Sequence, residues 1–508
     1  MWDAPSIYLP PFHVLAHSLA PRARGNSFGI NSFRTLFTAT GVCTYPLLSR
    51  LQCPIHVFLY PYFLASFLPS ITIAALPSGG KMSFSQRLEE VRTGFERPFW
   101  VANFAEIFER VAYYGTTAVL AIYLNEQLHF TDQLTGWLVG TFGMVVYFLP
   151  ILGGTLADRF GFRRSLSLAY LIMSVGYFLL GSLSAPWMAP LRHALGDKWL
   201  VLGILMIPAL GPGVVKPCVA GTTARASKEN VRSIGYSIYY TLVNVGGALG
   251  PIMAFLVRKQ LGLGIESVFR VAAGSVFLMF WITFFFYREP SRSGEQPVAS
   301  VWAAIKNMFV VLGNLRFVLF LLIFSGFFVM FWQQYISVPL FIRGYIDPNA
   351  DTDLLLSVDA IVVICFQILI AYLTRKMSAF GAMSLGILIT GLAWIIPAIH
   401  PSVAMFVVTL VFVALGEVIQ VSRYYEYISR LAPPGQQGLY MGFAFLPIAI
   451  GYFIAGPLGG SLVHHYGEVL HRPQQMWWVI VAIGVLTTIL MLLYEKFTKK
   501  GTTGQTGS

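Results

Sequence analysis

Two glutamates and an arginine lie close together inside a long apolar run of the chain. The stretch EIFERVAYYG contains Glu106, Glu109 and Arg110, and apolar residues dominate on both sides of it. On a helix, Glu106 and Arg110 are one turn apart and can form an ion pair, whereas Glu109 has no local basic partner at that spacing. Helical rise places these groups roughly 12–18 Å from the start of the segment. Charge at that depth indicates a proton or substrate pathway, or else a structural ion-pair cluster that joins two helices.

Two further charged residues stand alone in apolar segments. Lys216 lies in GPGVVKP, where Gly211 and Gly213 allow the close approach of another helix. Glu417 has no basic residue four positions away, so its charge must be balanced by a group elsewhere in the protein or removed by protonation. Carboxylates and a lysine that face one cavity would form a proton relay. For Lys216, the alternative is an ammonium group that reaches the membrane surface.

The composition shows which class of protein must position these groups. The chain has 508 residues, of which 56% are hydrophobic and 11% charged, whereas a soluble chain carries about 25% charged residues. This composition predicts an all-α polytopic membrane protein and assigns the net charge of +12 to loops rather than to nucleic-acid binding. The sequence contains no HExxH motif, phosphate-binding loop or Gly-x-Ser-x-Gly elbow, which argues against a membrane enzyme.

Twelve apolar stretches after residue 97 are long enough to span a bilayer. Their approximate bounds are 99–124, 134–157, 165–184, 199–222, 233–258, 267–287, 316–342, 354–374, 381–399, 403–429, 437–464 and 475–494. A polar insert between the sixth and seventh stretches divides them into two halves of six. The predicted parts are an N-terminal extension (1–81), a six-helix bundle (82–287), a cytoplasmic linker (288–315), a second six-helix bundle (316–496) and a cytoplasmic tail (497–508).

The distribution of basic residues predicts the orientation of the chain. If both termini are cytoplasmic, most loop arginines and lysines also face the cytoplasm, as the positive-inside rule requires. These residues are Arg159, Arg163, Arg164, Arg225, Lys228, Arg232, Arg288, Arg292, Lys306, Arg316, Arg375, Lys376 and Arg430. The compact loops favour a prokaryotic inner membrane, and we expect a monomer.

The first 81 residues have a mixed composition without a clear period. We expect Met82 to be the true start of the protein, because it opens an amphipathic lead-in to the first helix. A thirteenth span over residues 56–77 and a targeting segment are the alternatives.

The loop after the second stretch resembles a motif of the major facilitator superfamily, G-x-x-x-D-R-x-G-R-R. The resemblance implies a gating role rather than substrate binding. The matching residues are Gly154, Asp158, Arg159, Gly161, Arg163 and Arg164, with Phe162 interleaved.

Three further motifs resemble those of the proton-dependent oligopeptide transporter (POT) family within that superfamily. EIFERVAYYG is similar to the family's E-x-x-E-R-x-x-Y-Y-G, and GPGVVKP is similar to its G-x-G-x-x-K-P. Residues 235–251 form an aromatic-rich run that ends in an asparagine and small residues, as in the family's fifth helix, and Glu417 follows a glycine as the family's tenth-helix glutamate does. The resemblance covers roughly residues 98–460 and is strongest in the first half.

This resemblance implies a proton-coupled symporter that imports di- and tripeptides by alternating access, with protons as the coupling ion and no other cofactor. Glu106, Glu109 and Arg110 would couple proton movement to peptide binding, and Lys216 would pair with them or with the peptide carboxylate. Glu417 would take part in a gate or meet the peptide amine. The implied cavity residues are Tyr113, Tyr114, Thr117, Tyr147, Asn244, Gln333 and Gln334.

Two positions depart from the family pattern. Thr117 stands where the family commonly has an arginine, and Gln333 stands where it commonly has a glutamate. Both departures favour the alternative of a major-facilitator transporter for another small solute. A membrane sensor without transport activity is the distant alternative, since no soluble output domain is visible.

Overall fold

The computed structural model of the protein describes residues 93–290, 301–432 and 437–503. The extension 1–81, Met82 and the alternatives for that segment lie outside the described residues.

Six long helices form the first half of the described chain. They are α1 (Arg97–Ile122), α2 (Asp132–Phe148 and Pro150–Phe160), α3 (Phe162–Leu180), α4 (Asp197–Arg225), α5 (Arg232–Phe255) and α6 (Ile265–Phe286). One-turn π-helices extend α1 over Tyr123–Gln127 and α5 over Leu256–Gln260.

Six more helices form the second half, and four of them are interrupted. They are α7 (Leu315–Phe331 and Gln333–Tyr345), α8 (Thr352–Leu355 and Ser357–Thr374), α9 (Ala379–Ala393 and Ile395–Ile399), α10 (Val403–Leu431), α11 (Gln437–Phe443 and Leu446–His464) and α12 (Met476–Thr503).

The predicted all-α membrane architecture is confirmed. Each of the twelve apolar stretches coincides with one of these helices. In the described residues, ten helices are long and apolar enough to cross a membrane. The other two are α1, which has 26 residues and carries the charged cluster, and α3, which has 19 residues and carries two arginines in its first turn.

The predicted linker is not wholly irregular, because it contains the helix Val301–Leu312. The C-terminal helix also runs past the predicted end of the second bundle, to Thr503. The insert therefore has room for one short helix, whose hydrophobic side chains Trp302 and Phe309 are largely exposed.

Local sequence signals explain where several helices begin. The hydroxyl group of Thr131 accepts a hydrogen bond from the backbone N–H of Leu134 at the start of α2 (3.3 Å). The amide oxygen of Asn314 accepts a hydrogen bond from the N–H of Phe317 at the start of α7 (3.2 Å). Such caps satisfy donors that the first helical turn leaves free. They fix the ends of helices whose long middle sections are simply apolar.

The two halves pack together through helices α2 and α11. A Cβ atom added to Gly136 would lie 2.1 Å from the carbonyl oxygen of Gly456, and one added to Gly460 would lie 2.1 Å from the carbonyl oxygen of Asp132. Any larger residue would separate the backbones, so glycine is required for this contact. The close seam brings Tyr147 of α2 beside Tyr452 of α11, with ring centroids 6.3 Å apart.

Candidate functional site

The charged residues of α1 form a compact, fully buried cluster. The Nε atom of Arg110 lies 3.2 Å from Oε1 of Glu106 and donates a hydrogen bond to the carboxylate of Glu109. At most 2% of the surface of each of the three residues is exposed. The expected pair between Glu106 and Arg110 is confirmed. The expectation that Glu109 lacks a local partner is wrong, because the long arginine side chain bends back to its neighbour in sequence.

Helix α5 packs directly against this cluster. A Cβ atom added to Gly246 would lie 2.4 Å from Cβ of Arg110, and one added to Gly250 would lie 2.7 Å from the backbone nitrogen of Gly115. The small residues at the end of the 235–251 run therefore allow α5 to cover α1. Water is kept from this face of the cluster, which strengthens its internal electrostatic interactions.

Lys216 of α4 lies against aromatic side chains from both halves of the chain. Its ammonium nitrogen is 3.7 Å from the ring centroid of Tyr147 and 5.6 Å from that of Phe445. It interacts electrostatically with Glu106, Glu109 and Arg110, although it forms no ion pair with any described residue. Lys216 is buried, so the alternative of an ammonium group at the membrane surface does not describe this structure.

The glycines before Lys216 explain its position. A Cβ atom added to Gly211 would lie 2.0 Å from Cγ of Met173 in α3. One added to Gly213 would lie 2.5 Å from Cβ of Leu149, at the break in α2. The predicted close approach of neighbouring helices is confirmed at both positions. It places the next turn of α4, which carries Lys216, beside Tyr147.

Aromatic side chains of both halves form a wall next to Lys216. Trp332, at the break in α7, stacks on Tyr452 with ring centroids 4.1 Å apart, and it lies 5.5 Å from Tyr147. Tyr114 of α1 lies 6.3 Å from Tyr335 of α7. Trp332 and Tyr452 were not predicted from the sequence. The run FWQQY carries a signal for Trp332, because it places an indole next to two amides in an apolar segment.

Three of the other expected cavity residues have their polar groups engaged within the protein. The hydroxyl group of Thr117 donates to the carbonyl oxygen of Tyr113 (2.7 Å), and the amide nitrogen of Asn244 donates to that of Tyr240 (2.9 Å). The amide of Gln333 donates to the carbonyl oxygens of Val329 and Ala455 and accepts from the hydroxyl group of Ser337.

Gln334 differs from its neighbour. Its side chain is fully buried, and neither its amide nitrogen nor its oxygen has a hydrogen-bond partner among the described residues. A buried amide without partners is costly, so this position suits contact with a bound polar group.

Glu417 of α10 has a partner that was not predicted from the sequence. Its side chain is within hydrogen-bonding reach of the carboxyl group of Asp359, which lies in the first turn of the main segment of α8. Asp359 is buried. The sequence does carry a signal for it, since an aspartate within the apolar stretch 354–374 needs the same explanation as Glu417.

Ion pairs join the two halves where the C-terminal ends of α1, α5 and α7 meet the N-terminal end of α8. The guanidinium group of Arg258 donates to both carboxylate oxygens of Asp353 at 2.9–3.1 Å, and Asp353 is fully buried. Lys259 lies 3.1 Å from Asp351, and Arg343 pairs with Glu126. We name the Arg258–Asp353 contact the α5–α8 latch.

The loop predicted to act as a gate is tied to the end of α6. The carboxylate of Glu289 accepts hydrogen bonds from the backbone N–H groups of Phe162 (2.7 Å) and Arg163 (3.0 Å), next to Gly161 with its φ of 85°. The guanidinium group of Arg163 donates to the carbonyl oxygen of Phe284. Gly154 and Asp158 lie in the second segment of α2, and Arg159 and Arg164 are exposed.

At the end of α10, in the run SRYYEYISR, two arginines pair with one glutamate. Arg423 and Arg430 lie 2.8 Å and 2.6 Å from the carboxylate of Glu426. Among the described residues, no group of three or more histidine, cysteine, aspartate or glutamate side chains could hold a metal ion.

Comparison with known proteins defines the class to which this fold and site belong. The family model of the Major Facilitator Superfamily matches residues 102–380 and 348–508. The chain therefore belongs to the major facilitator superfamily, whose members are membrane transporters.

The relatives within the superfamily include a multidrug resistance protein and a solute carrier. The multidrug resistance protein MdtH of Aeromonas salmonicida is 25% identical over 380 residues, which cover 72% of this chain and 88% of the relative. Solute carrier family 15 member 2 of Rattus norvegicus is 30% identical over 236 residues, which cover 42% of this chain and 30% of the relative. A crystal structure of a POT family transporter in complex with a thioalcohol-conjugated peptide is similar in fold. It has a TM-score of 0.63 and 18% identity, and the match covers 84% of this chain and 99% of that chain.

Proposed function

We propose that this protein is a proton-coupled symporter that imports di- and tripeptides by alternating access. The observation that carries the proposal is the buried cluster of Glu106, Glu109, Arg110 and Lys216, which lies across from a carboxyl pair in the second half. A zwitterionic peptide needs a cationic pole, an anionic pole and walls that tolerate many side chains. Lys216, the Asp359–Glu417 pair and the aromatic wall provide these three features.

The charges of the first cluster suggest how a proton is coupled to substrate. In their ionised forms, Glu106 and Glu109 carry two negative charges and Arg110 and Lys216 carry two positive charges, so the fully ionised cluster is neutral. A proton that binds to one glutamate removes a negative charge and leaves a cation without its partner. That cation is then available for a substrate carboxylate, and the bound state favours a rearrangement of the two halves.

The proposed setting is a cell inner membrane, with both termini in the cytoplasm and the protein acting as a monomer. In this orientation the α5–α8 latch and the Glu126–Arg343 pair close the outer end. The Gly154–Arg164 loop lies at the cytoplasmic end, where its contact with Glu289 suits a gating role. We propose the same division into an extension (1–81), two bundles (82–287 and 316–496), a linker (288–315) and a tail (497–508), although α12 continues as a helix into the tail.

The primary test is uptake of labelled dialanine into proteoliposomes that contain the full chain. We expect accumulation above the external concentration with an inward proton gradient and only equilibration without it. Absence of uptake by monodisperse, helical protein would contradict the peptide proposal.

A second candidate is a transporter of the same architecture for another small solute. Gln333 favours it, because its amide is fully engaged by Val329, Ala455 and Ser337 and it cannot take up a proton as a glutamate would. The similarity to the multidrug resistance protein also covers more of this chain than the similarity to the solute carrier. A proton-driven flux of a non-peptide solute, with no competition by dialanine, would support this candidate.

The substitution Lys216→Ala should weaken binding of a substrate that carries a free carboxylate. Loss of a charge-assisted hydrogen bond costs about 1.5–3 kcal/mol, which corresponds to roughly a 10- to 150-fold increase in the Kd of dialanine. Competition binding to the protein in nanodiscs measures this change, with the C-terminal amide of the dipeptide as a second ligand.

The matched control is Lys228→Ala, because Lys228 is exposed in the loop after α4. It should leave the Kd unchanged. Equal affinity of wild type and Lys216→Ala for dialanine would show that Lys216 does not contact the substrate carboxylate.

A further inference from the structure

The second half of the protein contains two carboxyl groups in contact without a cation. Asp359 of α8 and Glu417 of α10 are 58 positions apart in the chain, yet their side chains are within hydrogen-bonding reach. One carboxylate oxygen of Asp359 is buried without a hydrogen-bond partner among the described residues. Neither residue forms an ion pair with an arginine, lysine or histidine of the described chain.

The groups that surround the pair come from four helices. Tyr114 of α1, Tyr240 of α5, Tyr335 of α7 and Tyr425 of α10 each interact electrostatically with one or both carboxyl groups. A tyrosine can donate a hydrogen bond but does not neutralise a negative charge. Asp359 lies in the first turn of the main segment of α8, where the partial positive charge of a helix N-terminus favours a single negative charge.

The packing of α8 against α5 keeps this pair at the boundary between the two halves. The hydroxyl group of Ser357 donates to the carbonyl oxygen of Ala248 (3.1 Å), and Ala360 and Ile364 pack against the same residue of α5. The pair is therefore held beside the surface along which the halves must move. A change in its charge would act on that boundary directly.

The two polar centres differ in their charge balance. The cluster around Arg110 is neutral with both glutamates ionised, because two cations accompany them. The Asp359–Glu417 pair would carry two negative charges with no cation if both groups were ionised. Two carboxyl groups within hydrogen-bonding reach repel each other when both are ionised, and the burial of Asp359 adds to that cost, which favours a single proton on the pair.

We propose that Asp359 and Glu417 form a second proton-binding site, in which one proton is held between the two carboxyl groups. The bound proton occupies the bridge between a carboxylic acid and a carboxylate, and the net charge of the pair is then −1. Entry of a cationic group beside the pair removes the need for that proton and releases it. The role of the site in coupling rests on the proposed symport function, whereas the presence of the proton does not.

Infrared difference spectroscopy of the full chain in nanodiscs tests for this proton without any substrate. We expect the C=O stretch of a protonated carboxyl group at neutral pH, with a shift on exchange into D2O. The double variant Asp359→Asn/Glu417→Gln should lose that component, and each single variant should shift or remove it. The control Asp347→Asn, at an exposed position before α8, should leave it unchanged.

Two results would overturn the proposal. A protonated-carboxyl signal that the double variant leaves unchanged would show that the pair carries no proton. A signal that responds to only one of the two single substitutions would place the proton on that residue alone and exclude sharing. Gel filtration and the helical circular dichroism signal of each variant establish that the protein is folded.

Transport by the same variants separates this proposal from the proposed function. In Asp359→Asn, we expect the ratio of proton-driven accumulation to counterflow exchange to fall by about fivefold or more, the lower end of typical coupling between sites. If wild type shows the carboxyl signal but transports no peptide, the proton site stands and the peptide proposal falls. If wild type accumulates peptide but the double variant keeps the carboxyl signal, the peptide proposal stands and the proposed proton site falls.

Discussion

The variant Glu109→Gln should lose proton-driven substrate accumulation while retaining counterflow exchange. Glutamine keeps the shape of the side chain and can still accept a hydrogen bond from Arg110, but it cannot take up a proton. The second contact of Arg110, to Glu106 at 3.2 Å, is left in place. We expect accumulation under an inward proton gradient to fall roughly 5- to 150-fold, the range of typical coupling between two sites.

The measurement compares gradient-driven uptake and counterflow in proteoliposomes with the same amount of protein. Glu229→Gln is the matched control, because Glu229 is an exposed glutamate in the loop between α4 and α5. It should behave as wild type in both assays. Full concentrative uptake by Glu109→Gln would show that proton coupling does not pass through Glu109, and loss of counterflow as well would indicate damage to substrate binding.

The variant Asp353→Asn should open the end of the protein that the α5–α8 latch closes. Asp353 is fully buried and accepts hydrogen bonds from two nitrogens of Arg258. Removal of one partner from a buried pair costs about 3–5 kcal/mol, and Asp351 at 3.6 Å from Arg258 compensates for part of the loss. We therefore expect a cost of about 3 kcal/mol, which shifts the equilibrium toward the open form on the order of a hundredfold.

Spin labels at Gln127 and Asp347, in a background without native cysteines, report this opening as a distance distribution. These positions are exposed and lie on opposite halves of the chain at that end. Lys259→Ala is the matched control, because Lys259 and Asp351 are both more than one third exposed. A surface pair contributes at most about 1 kcal/mol, so the distribution should change little. Identical distributions for wild type and Asp353→Asn would show that the latch does not hold the halves together.

These two variants test different steps of the transport cycle, namely proton coupling and the opening of one end of the protein. The cluster around Arg110 determines whether a proton can change the charges that face the substrate. The latch determines how readily one end of the protein opens. If both predictions hold, Glu109→Gln will transport without coupling, and Asp353→Asn will remain proton-sensitive with an altered preference for the open form.

Much of the fold could be predicted because membrane helices are defined locally. Twelve apolar runs were sufficient to place α1 to α12, since a segment in lipid must satisfy its own backbone hydrogen bonds. The pair between Glu106 and Arg110 follows from their separation of four positions on one helix. The contact of Glu109 with Arg110 did not follow, because it depends on how α5 confines the arginine side chain.

The sequence by itself determined the helices, their apolar character and the presence of charged residues inside them, which are energetically costly in a membrane. It could not determine which of these residues meet. Asp359 and Glu417 are brought together by the packing of α8 against α10, and Arg258 and Asp353 by the closure of α5 on α8. Lys216 meets Tyr147 only because glycines let α4 approach α2. Helical periodicity acts over a few residues, whereas these contacts depend on the tertiary arrangement of helices that are distant in sequence.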